Sequence, residues 1–320
     1  MAPITESSTS RFAQITQGPL KGVKVSILYQ LVFVASMLTA GLRPALATEN
    51  AVSTPNGADG FLAGALPPPG VYNLFFGNYY QSTRLNDNNG NSALPGFKIT
   101  AKTVADKVVL MTNQTMLGGQ VGFYGALGLQ NIRIDMPGLS DSRTGLNDIE
   151  GGMGVAWHPA EDLHWYGLVS VIAPTGAYDA KRLVNLGSNY TTIRPQFGIS
   201  YIPKSGLDLS ARLTYSFPKE NKATNYRSGQ YFHVDYNAGF ALSDSWKLGL
   251  QGYYLQQTTD DKFNGAVVGP DGNRARVLAI GPGVVYQSQG VPYELKYLKE
   301  TLARNRPSGD SVWMKVALKF

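Results

Sequence analysis

From Val71 to Phe320 the chain alternates apolar and polar side chains with period two, in runs parted by breaks rich in Gly, Asn, Asp and Pro. The stretch from Leu207 to Phe217 is the clearest. Its odd residues are apolar, and Asp208, Ser210, Arg212, Thr214 and Ser216 take the even places. Phe232 to Phe240 repeats the pattern. Alternation at 180° per residue means a strand with one apolar face and one polar face. Twelve such strands are predicted, at 71–84, 97–112, 119–133, 147–158, 163–174, 191–203, 207–218, 230–242, 246–258, 274–287, 292–303 and 311–320. Each is near or a little above the roughly 9–11 residues that a tilted strand needs to cross a bilayer.

The breaks alternate in length as well. Long ones are expected at 85–96, 134–146, 175–190, 219–229, 259–273 and, more modestly, 304–310; short ones fall near 113–118, 159–162, 204–206, 243–245 and 288–291. Outer-membrane barrels have an even strand number, long outer loops and short periplasmic turns, whereas a soluble sandwich has no reason to keep that register. The predicted fold class is therefore all-β, a transmembrane antiparallel up-and-down β-barrel of about twelve strands. Closure leaves no sheet edge for lipid to strand without partners. The final run, Val312 to Phe320, stops on an aromatic carboxyl terminus. It resembles the terminal signature that bacterial outer-membrane barrels present to their assembly machinery, which makes Phe320 the expected contact. Trp157, Trp165 and Trp246 stand beside short turns, where a periplasmic aromatic girdle belongs.

Ahead of the strands, Lys21 and Lys24 precede an apolar run over 25–40, and Ala45-Leu46-Ala47 offers a small-x-small cleavage site. This reads as a secretory signal peptide over 1–47, cut after Ala47. Residues 48–70, closing on Pro67-Pro68-Pro69-Gly70, carry no helix or strand period and are expected as an irregular leader able to plug the lumen; 71–320 is the barrel. No other segment reaches the roughly 18–20 apolar residues of a spanning helix. Losing Arg11, Lys21, Lys24 and Arg43 against Glu6 brings the net charge from +6 to +3. The remaining basic residues are dispersed, so no nucleic-acid partner is indicated. Charged residues are 16% of the chain, against about 25% in soluble domains, as expected where one strand face meets lipid. The absence of cysteine suits passage through an oxidising periplasm.

The polar face of the strands, expected to line the lumen, mixes signs: Asp148, Glu150, Arg194, Asp208, Arg212, Asp235, Lys247, Glu294, Lys296, Glu300 and Lys315. Mixed charge disfavours a strongly ion-selective pore. Tyr124, Tyr166, Tyr253 and Trp313 alternate onto the same face, and aromatic walls with a few polar groups suit a small apolar or phenolic ligand. The candidate solute path is therefore Tyr124, Tyr166, Arg194, Arg212, His233, Asp235, Tyr253 and Trp313. Pro195 and Gly281-Pro282-Gly283 interrupt strands, marking a possible lateral kink. Catalytic chemistry finds little support. Gly151-Gly-Met-Gly154 has no helix behind it and is no phosphate loop. Asp87 to Gly90 and Asp260-Asp261 lack the carboxylates of a calcium site. His158 and His164 flank a turn, and His233 with Asp235 has no serine placed beside it by sequence. No cofactor, metal or enzymatic activity is expected.

Several longer segments are more specific. They are Gly176 to Tyr190, with Tyr178, Asp179, Arg182, Asn185, Gly187 and Asn189, leading to Pro195 and Tyr201; Tyr226-Arg227-Ser228-Gly229 to His233 and Asp235; Gly252-Tyr253-Tyr254 to Asp260-Asp261; and Arg274-Ala-Arg276 before Ala279 to Pro282. With the Pro67-Pro68-Pro69-Gly70 leader they resemble the family of outer-membrane proteins of the meta-cleavage pathway of phenol degradation, over 55–320. Members of that family are described as outer-membrane transporters or channels, often encoded near aromatic-degradation genes. The resemblance implies a channel in the Gram-negative outer membrane, reached through the periplasm, for passive uptake of a small hydrophobic or phenol-like solute. The alternatives are a structural or binding barrel with a closed lumen and, behind it, an outer-membrane hydrolase using His233. Arg143, Lys181, Arg182, Lys219, Lys222, Arg227, Lys262, Arg304 and Arg306 in the outer loops could meet lipopolysaccharide phosphates.

Overall fold

The computed structural model describes residues 55–320, so the signal peptide and the first residues of the leader lie outside it. The described chain forms strands β1 (Gly70–Ser82), β2 (Lys98–Met116), β3 (Gly119–Met136), β4 (Leu139–Leu146), β5 (Ile149–Trp157), β6 (Leu163–Ala173), β7 (Thr192–Tyr201) and β8 (Leu207–Pro218). They are followed by β9 (Tyr226–Arg227), β10 (Tyr231–Ala241), β11 (Trp246–Gln257), β12 (Lys262–Phe263), β13 (Ala266–Val267), β14 (Arg276–Ser288), β15 (Val291–Arg304) and β16 (Asp310–Lys319). Among these residues no helix is long and apolar enough to cross a membrane; the crossing is made by strands.

Each wall strand pairs antiparallel with its chain neighbour, and β1 pairs with both β2 and β16, so the sheet closes on itself. The inner half of β3 pairs with β5 and its outer half with β4, which makes β4 and β5 one interrupted wall strand. The result is a closed twelve-stranded antiparallel barrel. The interruption is a bulge at Asn147-Asp148, held by Asn147 Oδ1 accepting from Gly128 N at 2.8 Å. Short connections gather at one end: Leu117-Gly118 and Gln289-Gly290 both take positive φ, the geometry of tight hairpins that match strand twist. Long connections gather at the other.

One expected loop is absent. Residues 134–146 form a hairpin instead, in which β3 runs to Met136 and β4 starts at Leu139 after a Pro137-Gly138 turn. The segment is polar, Ser140 to Gly145, because this hairpin rises beyond the apolar band and needs no lipid-facing stripe. Ile134 packs there with Phe97 and with Leu183 and Val184 of the following long loop, while Arg182 pairs with Asp141. Two further outer loops join in a small sheet, in which β12 and β13 of one pair through β12 with β9 of the other.

The outward face of the wall is apolar at mid-height. Val104, Val169 and Met314 are 60%, 51% and 54% exposed, and Leu127, Phe197, Leu209, Leu250 and Leu295 continue the band. A soluble protein could not leave such a surface bare; a bilayer covers it. Trp246 stacks on Tyr286 at 4.6 Å, Trp157 donates to Leu117 O at 2.9 Å, and Tyr201, Tyr293 and Phe320 are exposed near the same short-turn end. These form the interfacial girdle. Asp106 breaks the band. It alternates with Val104 and Val108 on β2, and its Oδ1 has no hydrogen-bond partner. Lipid-facing carboxylates carry a depth-dependent cost. Asp106→Val is expected to raise stability by roughly 1–2 kcal/mol, measured by denaturant unfolding of the barrel in vesicles; an unchanged or lower value would mean that Asp106 is solvated or paired in the membrane.

Candidate functional site

The barrel interior is a nearly filled lumen in which buried polar and charged groups stand beside an apolar cluster that includes Tyr253, Leu255, Val277, Leu298 and Trp313. Its main filling is the irregular segment before β1. Phe61 inserts among wall residues where Gly239 and Gly249 stand; a Cβ built there would come within 2.3 and 2.8 Å of its ring. Leu62 N donates to Asp208 Oδ2 at 3.2 Å and Gly64 N to Ser200 Oγ at 2.8 Å, both near the short-turn end. Asp59 reaches further and pairs with Arg212. Lys296 Nζ donates to Asp59 O at 2.8 Å, and Leu66 packs against the cluster of Val109, Met111, Ala156 and Tyr166. No strand pairing holds the segment, so side chains supply the contacts that a ladder supplies elsewhere.

The candidate path residues all line the lumen, in distinct groups. Arg212 lies between Asp59 and Asp235, with Nη2 donating to Asp235 Oδ2 at 2.7 Å. His233 Nε2 stands 3.5 Å from Asp235 Oδ1, its ring meets Tyr253 edge-on at 5.9 Å, and that nitrogen has no hydrogen-bond partner among the described residues. Glu150 gathers a second group. It accepts from Tyr124 Oη at 2.8 Å, Ser170 Oγ at 2.6 Å and Arg194 Nη1 at 3.1 Å. Tyr253 Oη donates to Glu300 Oε1 at 2.5 Å, beside Tyr80 Oη donating to Oε2 at 2.9 Å. Lys315 pairs with Glu294 at 2.5 Å, and Lys296 lies 6.0 Å from the Trp313 ring centre. Tyr166 is buried among apolar neighbours. Most charges of the polar face are thus drawn into ion pairs and hydrogen bonds within the described residues.

Between these groups lies a cavity of about 110 Å³, bounded by Phe76, Tyr124 and Trp313 and by Thr103, Lys107, Glu150, Arg194 and Arg212, with Pro55, Ala58 and Asp59 of the inner segment on one side. Thr103 and Lys107 fall on the lumen face of β2, and plain alternation would have found them. Asp59, which organises Arg212, lies in a segment without any period and had no such signal.

The interrupted strands are also placed. Pro195 faces outward, opposite Val169, and the β7–β8 register is the same on either side of it. At Gly281 and Pro282 the β14–β15 ladder lapses, and its register shifts between Leu278 and Ala279. A Cβ on Gly281 would lie 1.9 Å from Tyr297 O, so the two strands close up there. Elsewhere, Asp87 Oδ1 accepts from Asn89 N and Asn91 N at 2.9 and 2.8 Å, as turn chemistry requires. Asp261 accepts from Tyr226, Gly229, Gln257 and Asn273 and anchors an outer loop. His158 and His164 face each other through Nδ1 at 2.8 Å in a short turn; burial and the neighbouring imidazole hold His158 below the usual histidine range.

Residues 82–316 match the family model described as the MetA-pathway of phenol degradation. Among solved structures, an outer-membrane channel from Pseudomonas putida F1 superposes with a TM-score of 0.72 at 13% identity, covering 81% of this chain and 98% of that one. The translocator domain of the autotransporter NalP from Neisseria meningitidis gives a TM-score of 0.48 at 12% identity, over 80% and 90% of the two chains. At such identities the first likeness establishes the fold, an outer-membrane β-barrel. No curated protein shows significant similarity.

Arg212→Ala would leave Asp59 and Asp235 facing each other without their cation, a loss of about 3–5 kcal/mol for a buried pair. Urea unfolding should show that drop, and limited proteolysis should cut within 55–69 in the variant and spare it in the parent. Equal protection in both would mean that Phe61 and the backbone contacts hold the segment unaided.

Proposed function

The chain belongs to this phenol-degradation family, and from that premise we propose that it is an outer-membrane channel for passive uptake of small aromatic or hydrophobic, phenol-like compounds. The observation that carries the reading is the mid-lumen cavity, where Phe76, Tyr124 and Trp313 provide rings beside a few polar groups. Such a lining suits one small aromatic solute. The charges around it mix signs and form no ring of one sign, as a strongly ion-selective pore would require. The similar barrel of Pseudomonas putida F1 is itself a channel, which supports the same use here.

In this reading residues 48–70 act as a plug at the periplasmic side, and the path passes Tyr124, Arg194, Arg212, Trp313, His233, Asp235, Tyr253 and Tyr166 when the plug yields. His233, packed edge-on against Tyr253 beside Asp235, forms part of the lumen wall in this reading. Phe320, 76% exposed at the chain end, serves recognition by the barrel-assembly machinery. Outer-loop cations such as Lys262 and Arg227 face lipopolysaccharide. One observation favours a second reading: the inner segment and ion pairs fill much of the lumen, as a closed structural barrel would require.

Uptake of labelled phenol and toluene at limiting concentration separates the two. Cells carrying the barrel should take up both faster than cells without it, and deleting 48–70 should raise the rate further. Equal uptake in all three strains would leave the closed barrel.

A further inference from the structure

The cavity's unspent hydrogen-bonding capacity has one polarity. Its carboxylates are answered: Glu150 by Tyr124, Ser170 and Arg194, Asp59 by Arg212, and Asp148 by Gly176 N, Ser188 N and Ser188 Oγ at 2.9, 2.8 and 2.6 Å. Asp106 also borders the cavity, but its place between Val104 and Val108 in the alternation turns its side chain to the outer face of β2. Several donors are not answered. Lys107 Nζ lies 4.4 Å above the centre of the Tyr124 ring and forms no ion pair with any described residue. Trp313 Nε1, Thr103 Oγ1 and Arg212 Nε are buried and have no hydrogen-bond partner among the described residues. Trp313 and Thr103 are 4% and 6% exposed, so bulk water does not reach them. Trp Nε1, Arg Nε and an ammonium can only donate. Apart from the Thr103 hydroxyl, which can also accept, these spare groups only donate, and such a site suits a ligand rich in acceptors and poor in donors.

The apolar part of the lining sets the rest of the ligand. Phe76, the Tyr124 face and the Trp313 ring bound a space of about 110 Å³, the same order as the about 150 Å³ that accommodates benzene in an engineered protein cavity. A space of that order accommodates a single ring. A phenol brings a hydroxyl that also donates, and toluene brings no acceptor. A carboxylate brings two oxygens with about four acceptor positions and no donor, and its charge makes the hydrogen bond to an ammonium stronger.

We propose that the mid-lumen cavity is a binding site for a monocyclic aromatic carboxylate of the benzoate type, with Lys107 as the anchor of the carboxylate and Trp313 and Thr103 as additional donors. Lys107 is the specificity-determining residue: it separates aromatic acids from hydrocarbons of the same size. This deepens the channel reading, since the same cavity would be the selective station on the path, but the binding step stands apart from flux.

Binding of benzoate and of toluene to the purified barrel in detergent micelles, followed by titration calorimetry, tests it alongside benzoate uptake by cells. The parent should bind benzoate. Lys107→Met should weaken that binding at least tenfold and leave toluene unchanged, while Lys107→Arg keeps benzoate within a few-fold. The heat-induced mobility shift of folded barrels on gels shows that each variant is assembled, and Thr103→Val, a smaller change, should weaken benzoate by a few-fold. Benzoate binding that is absent in the parent, or unmoved by Lys107→Met in a folded barrel, overturns the proposal and leaves the channel reading intact. Benzoate binding that depends on Lys107, without any barrel-dependent uptake of benzoate, phenol or toluene, upholds the site and sinks the channel.

Discussion

Arg212 is the residue on which the interior of this barrel depends. Its guanidinium lies between Asp59 of the inner segment and Asp235 of the adjoining wall strand, so one cation ties the irregular filling to the sheet. A buried ion pair adds little net stability, because desolvating the charges offsets their attraction; leaving one partner alone is what costs. The pairing therefore acts as a registration device. The segment cannot slide along the lumen without parting Asp59 from Arg212 and leaving its buried carboxylate without that partner. Lys296 reinforces the position by donating to the Asp59 carbonyl. Phe61, lodged against Gly239 and Gly249, supplies the apolar part of the same hold.

The surrounding wall follows from a different constraint. In lipid every backbone N–H and C=O must find a partner within the protein, and a closed ladder is the way a sheet does this. Closure fixes the diameter once the strand number is twelve, and that diameter leaves a lumen narrow enough for side chains to bridge. Charges placed inside are then near enough to pair: Glu150 with Arg194, Glu294 with Lys315, Arg212 with two carboxylates. The small central cavity is what remains after those bridges and the inner segment have taken their share.

How far this was legible in the sequence depended on whether a residue carried a period. Leu207 to Phe217 announces its strand, its lipid face and its lumen face because each neighbour obeys the same alternation, and the structure places Asp208 and Arg212 inside accordingly. The polar hairpin over 134–146 reads as a loop because a strand that has left the bilayer no longer needs an apolar stripe. The bulge at Asp148 escapes notice too, since one extra residue is invisible to a pattern judged strand by strand. Asp59 is the sharpest omission: it belongs to a Gly- and Pro-rich stretch with no period, and its role exists only through contacts with residues more than 150 positions away. Lys107 and Thr103 are a different case, since they stood at readable lumen positions and only their company marks them.

The location of the inner segment also bears on how the seam of the wall is held. Residues 55–69 directly precede β1, and β1 meets β16 to close the wall. From that seam the segment crosses the lumen, with Asp59 on Arg212 of β8 and Phe61 against Gly239 and Gly249 of β10 and β11, on the far side of the sheet. It is therefore an internal strut: a strain that parts β1 from β16 must also pull Asp59 off its cation and Phe61 out of its seat.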